Sequence, residues 1–473
     1  MLDSTSSSSL FLPFNIHHAV TRLTIPAALY WLGLLLLPIL LLLRQQCLSG
    51  SAHPRGCRKL GLSPENSNLH DEYDPKYSQG VSEKSTAEDG RPAWRIKALF
   101  AYPIKSCAGV ELDIADVIPT GFTYDRQFCF AEYVVPKPNP SVASPDQQQQ
   151  PHWVARTMRD GELSKLALVR PEIWLPDPSA PDYSPDLDEV KSNGVMIISY
   201  PRFTRGPLHS SLLSLATTLG LLPKHLSFQV PLYPPREDAY PCTPVKIWKD
   251  SPFAYDYGHH LPATLREFLV SDPSPKSTPR GPLTLFRVNP SHLREIFRCA
   301  PRKEDIGFQT VTGFADAYPL HLLNLASIHD LARRCTHAIP RLTVRRFRAN
   351  IIVQGPPAFA EDHWKRIRVG PAGYSATRHD AGAEIYTVCR TMRCRLPNVD
   401  PDTGVRHRSE PDRAMKSYRR IDPGDFTNAA LGMQLVPVPR EFALRVGDSL
   451  EVLETGEHFY IKMLAPGEKV EGV

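Results

Sequence analysis

The sequence predicts a mainly β protein with α+β elements, headed by an N-terminal membrane helix, and three observations predict it. Residues 96–102 (IKALFAY) alternate as a strand does, and Val110, Leu112 and Ile114 repeat the alternation after a turn over 103–109. Proline makes up 47 of 473 residues, roughly twice average usage. It removes a backbone donor and breaks helix interiors, so the excess speaks for long irregular connections and against a helical bundle. Residues 25–43 (IPAALYWLGLLLLPILLLL) carry no charge.

Taken in order, 1–24 is a Ser-rich N-terminal segment. The 19 residues of 25–43 span about 28 Å as a helix, close to the hydrocarbon thickness of a bilayer. A cleaved signal peptide has a shorter apolar stretch after a basic start, so a retained anchor is the expectation. Tyr30 and Trp31 suit an interface, and Pro38 is tolerated in a membrane helix. Arg44, Arg55, Arg58 and Lys59 follow the run and only Arg22 precedes it, which places the C-terminal part in the cytosol. Residues 44–93, rich in Ser, Glu, Asp, Gly and Pro, read as a flexible linker. A β-rich, barrel-like unit is expected over 94–236, with an exposed Pro/Gln insert at 135–152, a strand at 195–200 and no convincing long helix. After a connecting segment, 237–300, a mixed unit over 301–456 precedes a tail, 457–473. In that unit Ser327-Ile328-His329-Asp330 has capping-box form ahead of a helix, 350–353 reads as a strand, and Leu444, Val446, Leu450 and Val452 alternate around Gly447-Asp448.

Composition excludes several function classes. A formal charge of +5 is too small to argue for nucleic acid, and none is expected as a partner. The sequence contains neither GxxxxGK[ST] nor GxGxxG. Nine cysteines, odd in number and without a CxxC pair, fit a reducing compartment better than a disulfide scaffold or a zinc ribbon. Cys389 and Cys394 are too weakly spaced for a zinc half-site. Asp400-Pro401-Asp402-Thr403-Gly404 fails as a calcium loop, because its sixth and twelfth positions are Val405 and Pro411.

Arg333, Arg334, Arg341, Arg345, Arg346 and Arg348 crowd into sixteen residues. Most such arginines are solvated or ion-paired. Arg348-Ala349-Asn350 differs because it leads directly into an apolar strand, where a guanidinium and an amide can grip an anion. Lys105-Ser106 sits in the turn after the first strand, and Asp125-Arg126 lies between Tyr124 and Phe128. Together these make a cationic pocket.

The stretch YPIKSCAG (102–109) followed by Asp125-Arg126 resembles the opening of the MOSC N-terminal β-barrel domain. Phe347-Arg348-Ala349-Asn350-Ile351, Glu361-Asp362-His363-Trp364, Met392-Arg393-Cys394, Asp400-Pro401-Asp402-Thr403-Gly404, Lys416-Ser417-Tyr418-Arg419 and Val446-Gly447-Asp448 resemble, in order, the MOSC domain. The order anchor, barrel, MOSC domain is that of the mitochondrial amidoxime-reducing components. The resemblance implies a molybdenum–molybdopterin cofactor whose metal takes one protein thiolate, here Cys394, as metal ligand and catalytic residue; a soft sulfur ligand suits such a metal. It assigns cofactor binding to Lys105, Ser106, Arg126, Asp316, Arg348 and Asn350. Thr391 stands where the family often has Cys, Met392 replaces a small polar residue, and Ala317-Tyr318 replaces a Thr/Ser-like pair.

The implied reaction is reduction of N-hydroxylated small molecules such as amidoximes and hydroxylamines. No flavin, nicotinamide or two-iron motif is present, so the electrons are expected from a b-type cytochrome and its NADH reductase on the same membrane, the outer mitochondrial membrane rather than the endoplasmic reticulum. The alternative is a sulfur-transfer or cofactor-handling protein like the MOSC tail of molybdenum cofactor sulfurases. Those carry a large pyridoxal-phosphate domain upstream, for which the roughly 50 residues between anchor and barrel leave no room.

Overall fold

The computed structural model describes residues 30–34, 36–40, 53–136, 150–204, 207–236, 238–270, 280–371 and 382–462. The chain divides into two compact units, 1–52 with 202–224, and 53–201 with 225–473. In the first, 30–34 and 36–40 are helical and exposed, and a helix covers Pro207–Thr218. That helix was not expected before residue 236; its Ser- and Thr-rich sequence hides the helical period. Among the described residues no helix is long and apolar enough to cross a membrane. The rest of the 25–43 run, and 137–149 of the Pro/Gln insert, lie outside them.

The second unit is mainly β. Seven strands pair in the order Ile351–Gln354, Leu320–Asn324, Ala429–Pro437, Ala383–Arg393, Trp364–Gly370, Ser449–Thr455 and Arg95–Ala101, and pairing of the last with the first closes the ring. A second closed barrel runs Cys242–Lys246, Phe253–Asp256, Leu283–Val288, Phe128–Val134 and His152–Ala155. A four-stranded sheet, Cys57–Leu60, Arg170–Pro176, Val195–Pro201 and His225–Pro231, stands apart from both barrels.

The domain borders at 236/237 and 300/301 therefore move. The strand Arg95–Ala101 belongs to the seven-stranded barrel with strands more than 200 residues later, and the supposed connecting segment supplies three strands of the five-stranded barrel. Alternation marks a strand but names no partner. Arg95–Ala101 is covered on both faces, which explains its nearly continuous apolar run. Ile96, Leu99 and Ala101 enter the barrel interior with Leu322, Ile351 and Ile367. Ala98 and Phe100 pack outside against Ile328 and Leu331 of the helix Leu325–Cys335. Asn324 caps that helix, accepting from the Ala326 N–H at 3.1 Å. Ser327, the expected cap, lies within the helix and donates to Glu361 at 2.7 Å.

The flexible-linker reading of 44–93 is also corrected over 53–93. Cys57–Leu60 pairs in register with Arg170–Pro176. Leu69 is buried in the outer core. Asp71 pairs with Lys97 at 2.8 Å, the buried Glu72 carboxylate accepts from the Val344 N–H at 2.9 Å, and Trp94 donates to the Val81 carbonyl at 2.9 Å. The polar residues that suggest disorder by composition are spent on specific partners. Removal of residues 1–52 is expected to leave the barrels intact. Removal of 1–92 should cost at least about 3 kcal/mol, from one buried leucine and at least one orphaned backbone donor. Urea titration of the two truncations checks this, and equal midpoints would restore the linker reading.

Candidate functional site

Between the two barrels lies a cavity of about 340 Å³, and Lys105, Ser106, Arg126, Asp316, Arg348, Asn350 and Cys394 all line it. Each arrives by a local device. The strand Arg95–Ala101 runs into the turn that carries Lys105 and Ser106. An added Cβ at Gly109 would sit 2.7 Å from Tyr102 Cε1, so glycine gives the Tyr102 ring its place. Leu99 pairs with Ile351, which brings the Arg348–Asn350 segment to the same barrel end as that turn. Cys394 is the first residue beyond the strand Ala383–Arg393. Ser106, Arg126 and Arg348 have φ of 68°, 48° and 56°. Left-handed backbone at non-glycine residues costs about 1–2 kcal/mol each and collects at functional sites.

The side chains are tightly tied. Arg126 donates to Asp125 (2.6 Å), to Asn350 Oδ1 (3.1 Å) and to the Arg348 carbonyl (2.9 Å). Asn350 Nδ2 donates to Asp125 and to the Phe100 carbonyl, both at 3.0 Å. The guanidinium carbons of Arg126 and Arg348 lie 4.7 and 4.3 Å from the Tyr102 ring centre. Lys105 is buried, donates to the Phe314 carbonyl at 3.1 Å and pairs with Asp316. Burial alone would raise the Asp316 carboxyl, but Lys105 and Arg159 hold it below the usual range. Arg348 donates to the Cys107 carbonyl, while its Nη2 is buried without a partner. Burial presses its guanidinium down to about 10.

Sequence reasoning missed four of the basic residues on the lining, Arg159, Arg298, Arg390 and Arg393, and also His321. Arg393 donates to the Leu431 carbonyl at 2.9 Å, to the Phe347 carbonyl at 3.2 Å and to His321 Nε2 at 2.6 Å. Arg393 adjoins Cys394 in sequence, and His321 interrupts the apolar run Leu320-His321-Leu322; both were signals at hand. The other clustered arginines serve the scaffold. Arg333 and Arg334 meet Asp330, Arg341 stacks on Tyr73, and Arg345 and Arg346 pair with Asp402 and Asp400. The acidic pair considered as a calcium loop is thus engaged by arginines. Cys389 is buried and outside the lining, hydrogen-bonded with Cys299. No group of three or more metal-ligating side chains occurs among the described residues.

Burial, with the charges of Arg393 and Arg126, holds His321 well below the ordinary histidine value, so it is neutral and accepts from Arg393. Burial likewise lowers His458, whose ring meets the Trp364 carbonyl at 2.7 Å, to about 4. A folded value below the unfolded one means that the unfolded chain binds more protons as pH falls from 6.5. The His458 contribution is therefore whole above about pH 6.5 and is lost toward pH 4, by at most about 1.4 kcal/mol per pH unit. Glu361, raised to about 7 by burial and Asp362, works the other way. The histidine contribution is hence read as a difference: His458→Gln should flatten the acid-side loss of stability relative to wild type. Parallel stability profiles for the two proteins between pH 7 and 5 would refute it.

The donor set fits a large anionic group anchored through a thiolate. Seven lysines and arginines line the cavity against two aspartates, two buried arginine nitrogens (Arg348 Nη2 and Arg390 Nε) are unpartnered, and Cys394 faces the same space. The class is given by two matches to family models: residues 309–451 carry a MOSC domain and residues 93–140 match the MOSC N-terminal beta barrel domain.

Among curated proteins, the mouse protein named mitochondrial amidoxime-reducing component 1 is 32% identical over 143 residues, 30% of this chain and 38% of its own length. Rat mitochondrial amidoxime reducing component 2 is 35% identical over 138 residues, 28% of this chain and 37% of its own. Human mitochondrial amidoxime-reducing component 1 is 28% identical over 207 residues, 42% of this chain and 52% of its own. The chain spans about half or less of these relatives' lengths.

Proposed function

We propose that this chain is a molybdenum-cofactor oxidoreductase that reduces N-hydroxylated small molecules, amidoximes and hydroxylamines, to amidines and amines. The observation that carries the reading is the convergence of Cys394 with an excess of buried cations in one cavity between two barrels. When bound, the molybdenum–molybdopterin group supplies the two-electron redox chemistry. Two electrons and two protons convert an amidoxime to an amidine and one water, so atoms and charge balance. Cys394 holds the metal. Lys105, Ser106, Arg126, Arg348 and Asn350 hold the pterin and its phosphate, because an anion withdrawn from water needs several charge-assisted donors. Asp316, kept ionised, fixes the Lys105 ammonium.

The names of the relatives support the reaction class and a mitochondrial setting. The uncharged 25–43 run supports an anchor that leaves the barrels facing the cytosol from the outer mitochondrial membrane, beside a b-type cytochrome and its NADH reductase. The test is metal content of the purified chain together with turnover of benzamidoxime by a supplied reductant. Bound molybdenum with turnover supports the reading. Bound molybdenum without turnover, with persulfide transfer instead, moves the chain to the sulfur-transfer class.

A further inference from the structure

One aromatic residue on the cavity wall has no scaffold role. Trp248 lines the cavity and remains 41% exposed. Among the described residues it belongs to no apolar core, whereas its neighbour Ile247 is buried in that of the five-stranded barrel. Trp248 and Lys249 form the two-residue turn closed by hydrogen bonds of 2.9 and 3.0 Å between Ile247 and Asp250. Trp248 occupies the first central position with a φ of 57°. A lone positive φ at that position is a place for glycine, and a bulky side chain there is strained. Burial in a core does not offset the strain, so it points to a demand of the site.

The turn is also fixed in place. Asp250 accepts from Arg294 Nε at 2.8 Å, and Nη1 of the same buried arginine donates to the Ala315 carbonyl at 2.7 Å, one residue from Asp316. Arg159, another lining residue, places its guanidinium carbon 4.4 Å from the Trp248 ring centre. The indole is thus held by a cation from within the site and tied through Arg294 to the segment bearing Asp316.

We propose that Trp248, braced by Arg159, is the stacking surface that selects planar, conjugated N-hydroxylated substrates over small aliphatic ones. The inference rests on the reaction class proposed above. An indole face offers apolar, polarizable area to an aryl amidoxime and little to a methyl group. Trp248 is accordingly a specificity residue, and it need not touch the reacting N–O bond.

The test compares wild-type, Trp248→Phe and Trp248→Gly holoproteins, oxidised and without reductant, in calorimetric titrations with benzamidoxime and with acetamidoxime. Trp248→Gly should bind benzamidoxime roughly ten-fold more weakly, the upper range for one aromatic pair. Acetamidoxime binding should change less than two-fold, and Trp248→Phe should restore most of the loss. Because glycine accepts the left-handed backbone, Trp248→Gly should unfold at or above the wild-type temperature. With reductant, the same variant should raise KM for benzamidoxime and leave kcat in place. Equal weakening toward both ligands, or unchanged benzamidoxime binding, overturns the role of Trp248 while the reaction class stands. Failure of the wild-type holoprotein to bind either compound overturns both.

Discussion

Cys394→Ser is expected to abolish molybdenum retention and turnover while leaving the fold intact. Loss of groups that merely orient a metal ligand costs 10–100-fold, so loss of the thiolate itself should exceed about 100-fold. Cys394 follows the last residue of a barrel strand and is partly exposed, so serine adds no volume and opens no core cavity. The thermal midpoint of the metal-free form should move by no more than roughly 2–4 °C, equivalent to about 1 kcal/mol. Cys389 cannot substitute, because it is fully buried beside Cys299 and absent from the cavity wall. Metal analysis of the purified variant decides the matter. Wild-type molybdenum content would remove Cys394 from the site.

Arg348→Ala is expected to release the cofactor, and Arg345→Ala is not. The two arginines are three residues apart and have opposite environments. Arg345 makes a two-pronged contact with Asp402 at 2.9 and 2.6 Å and is 39% exposed. Such a pair is worth under about 1 kcal/mol, so its loss should change retention less than about five-fold. Arg348 is buried, stacks on Tyr102, has no carboxylate partner and keeps one nitrogen unpaired. Its lowered guanidinium value means that the charge is held against burial and is relieved by an arriving anion. One charge-assisted bond of about 1.5–3 kcal/mol gives a loss of roughly 10–150-fold in retention. Pterin fluorescence released from gel-filtered protein measures it. Equal losses at the two positions would mean a general basic surface rather than a built pocket.

The legible parts of this molecule were local. Lys105-Ser106 and Arg348-Ala349-Asn350 stood out because polar residues of those types abutted apolar strands. The structure places them, with the other singled-out residues, on one cavity. What was illegible depends on partners distant in the chain. Nothing in 57–60 or 69–72 announces that Arg170–Pro176 and Val344 await them. His321 and Arg393 meet only because two strands of the same barrel place them 2.6 Å apart. Strain is invisible in the sequence too: within a stretch read only as a connecting segment, nothing sets Trp248 apart until its turn and its φ are known.

The closure of the seven-stranded barrel has a consequence for biosynthesis. Its earliest strand pairs Leu99 with Ile351 and Arg95 with Ser449. As the chain leaves the ribosome, that strand finds Val110–Leu112 at once but must wait through the whole five-stranded barrel before its two neighbours in the ring exist. Contacts of such long sequence separation form slowly, since loop-closure entropy is lost before they reward it. A nonsense mutation upstream of residue 449 would leave the Trp364–Gly370 strand without one of its two neighbours. An open strand edge is a template for aggregation, so the truncated product is a client for chaperones and proteases. The cavity draws on Lys105, which precedes the five-stranded barrel, and on Tyr460, which follows the Ser449–Thr455 strand. The pocket proposed to hold the cofactor is therefore assembled only once both barrels have been synthesised, so loading would follow the synthesis of both.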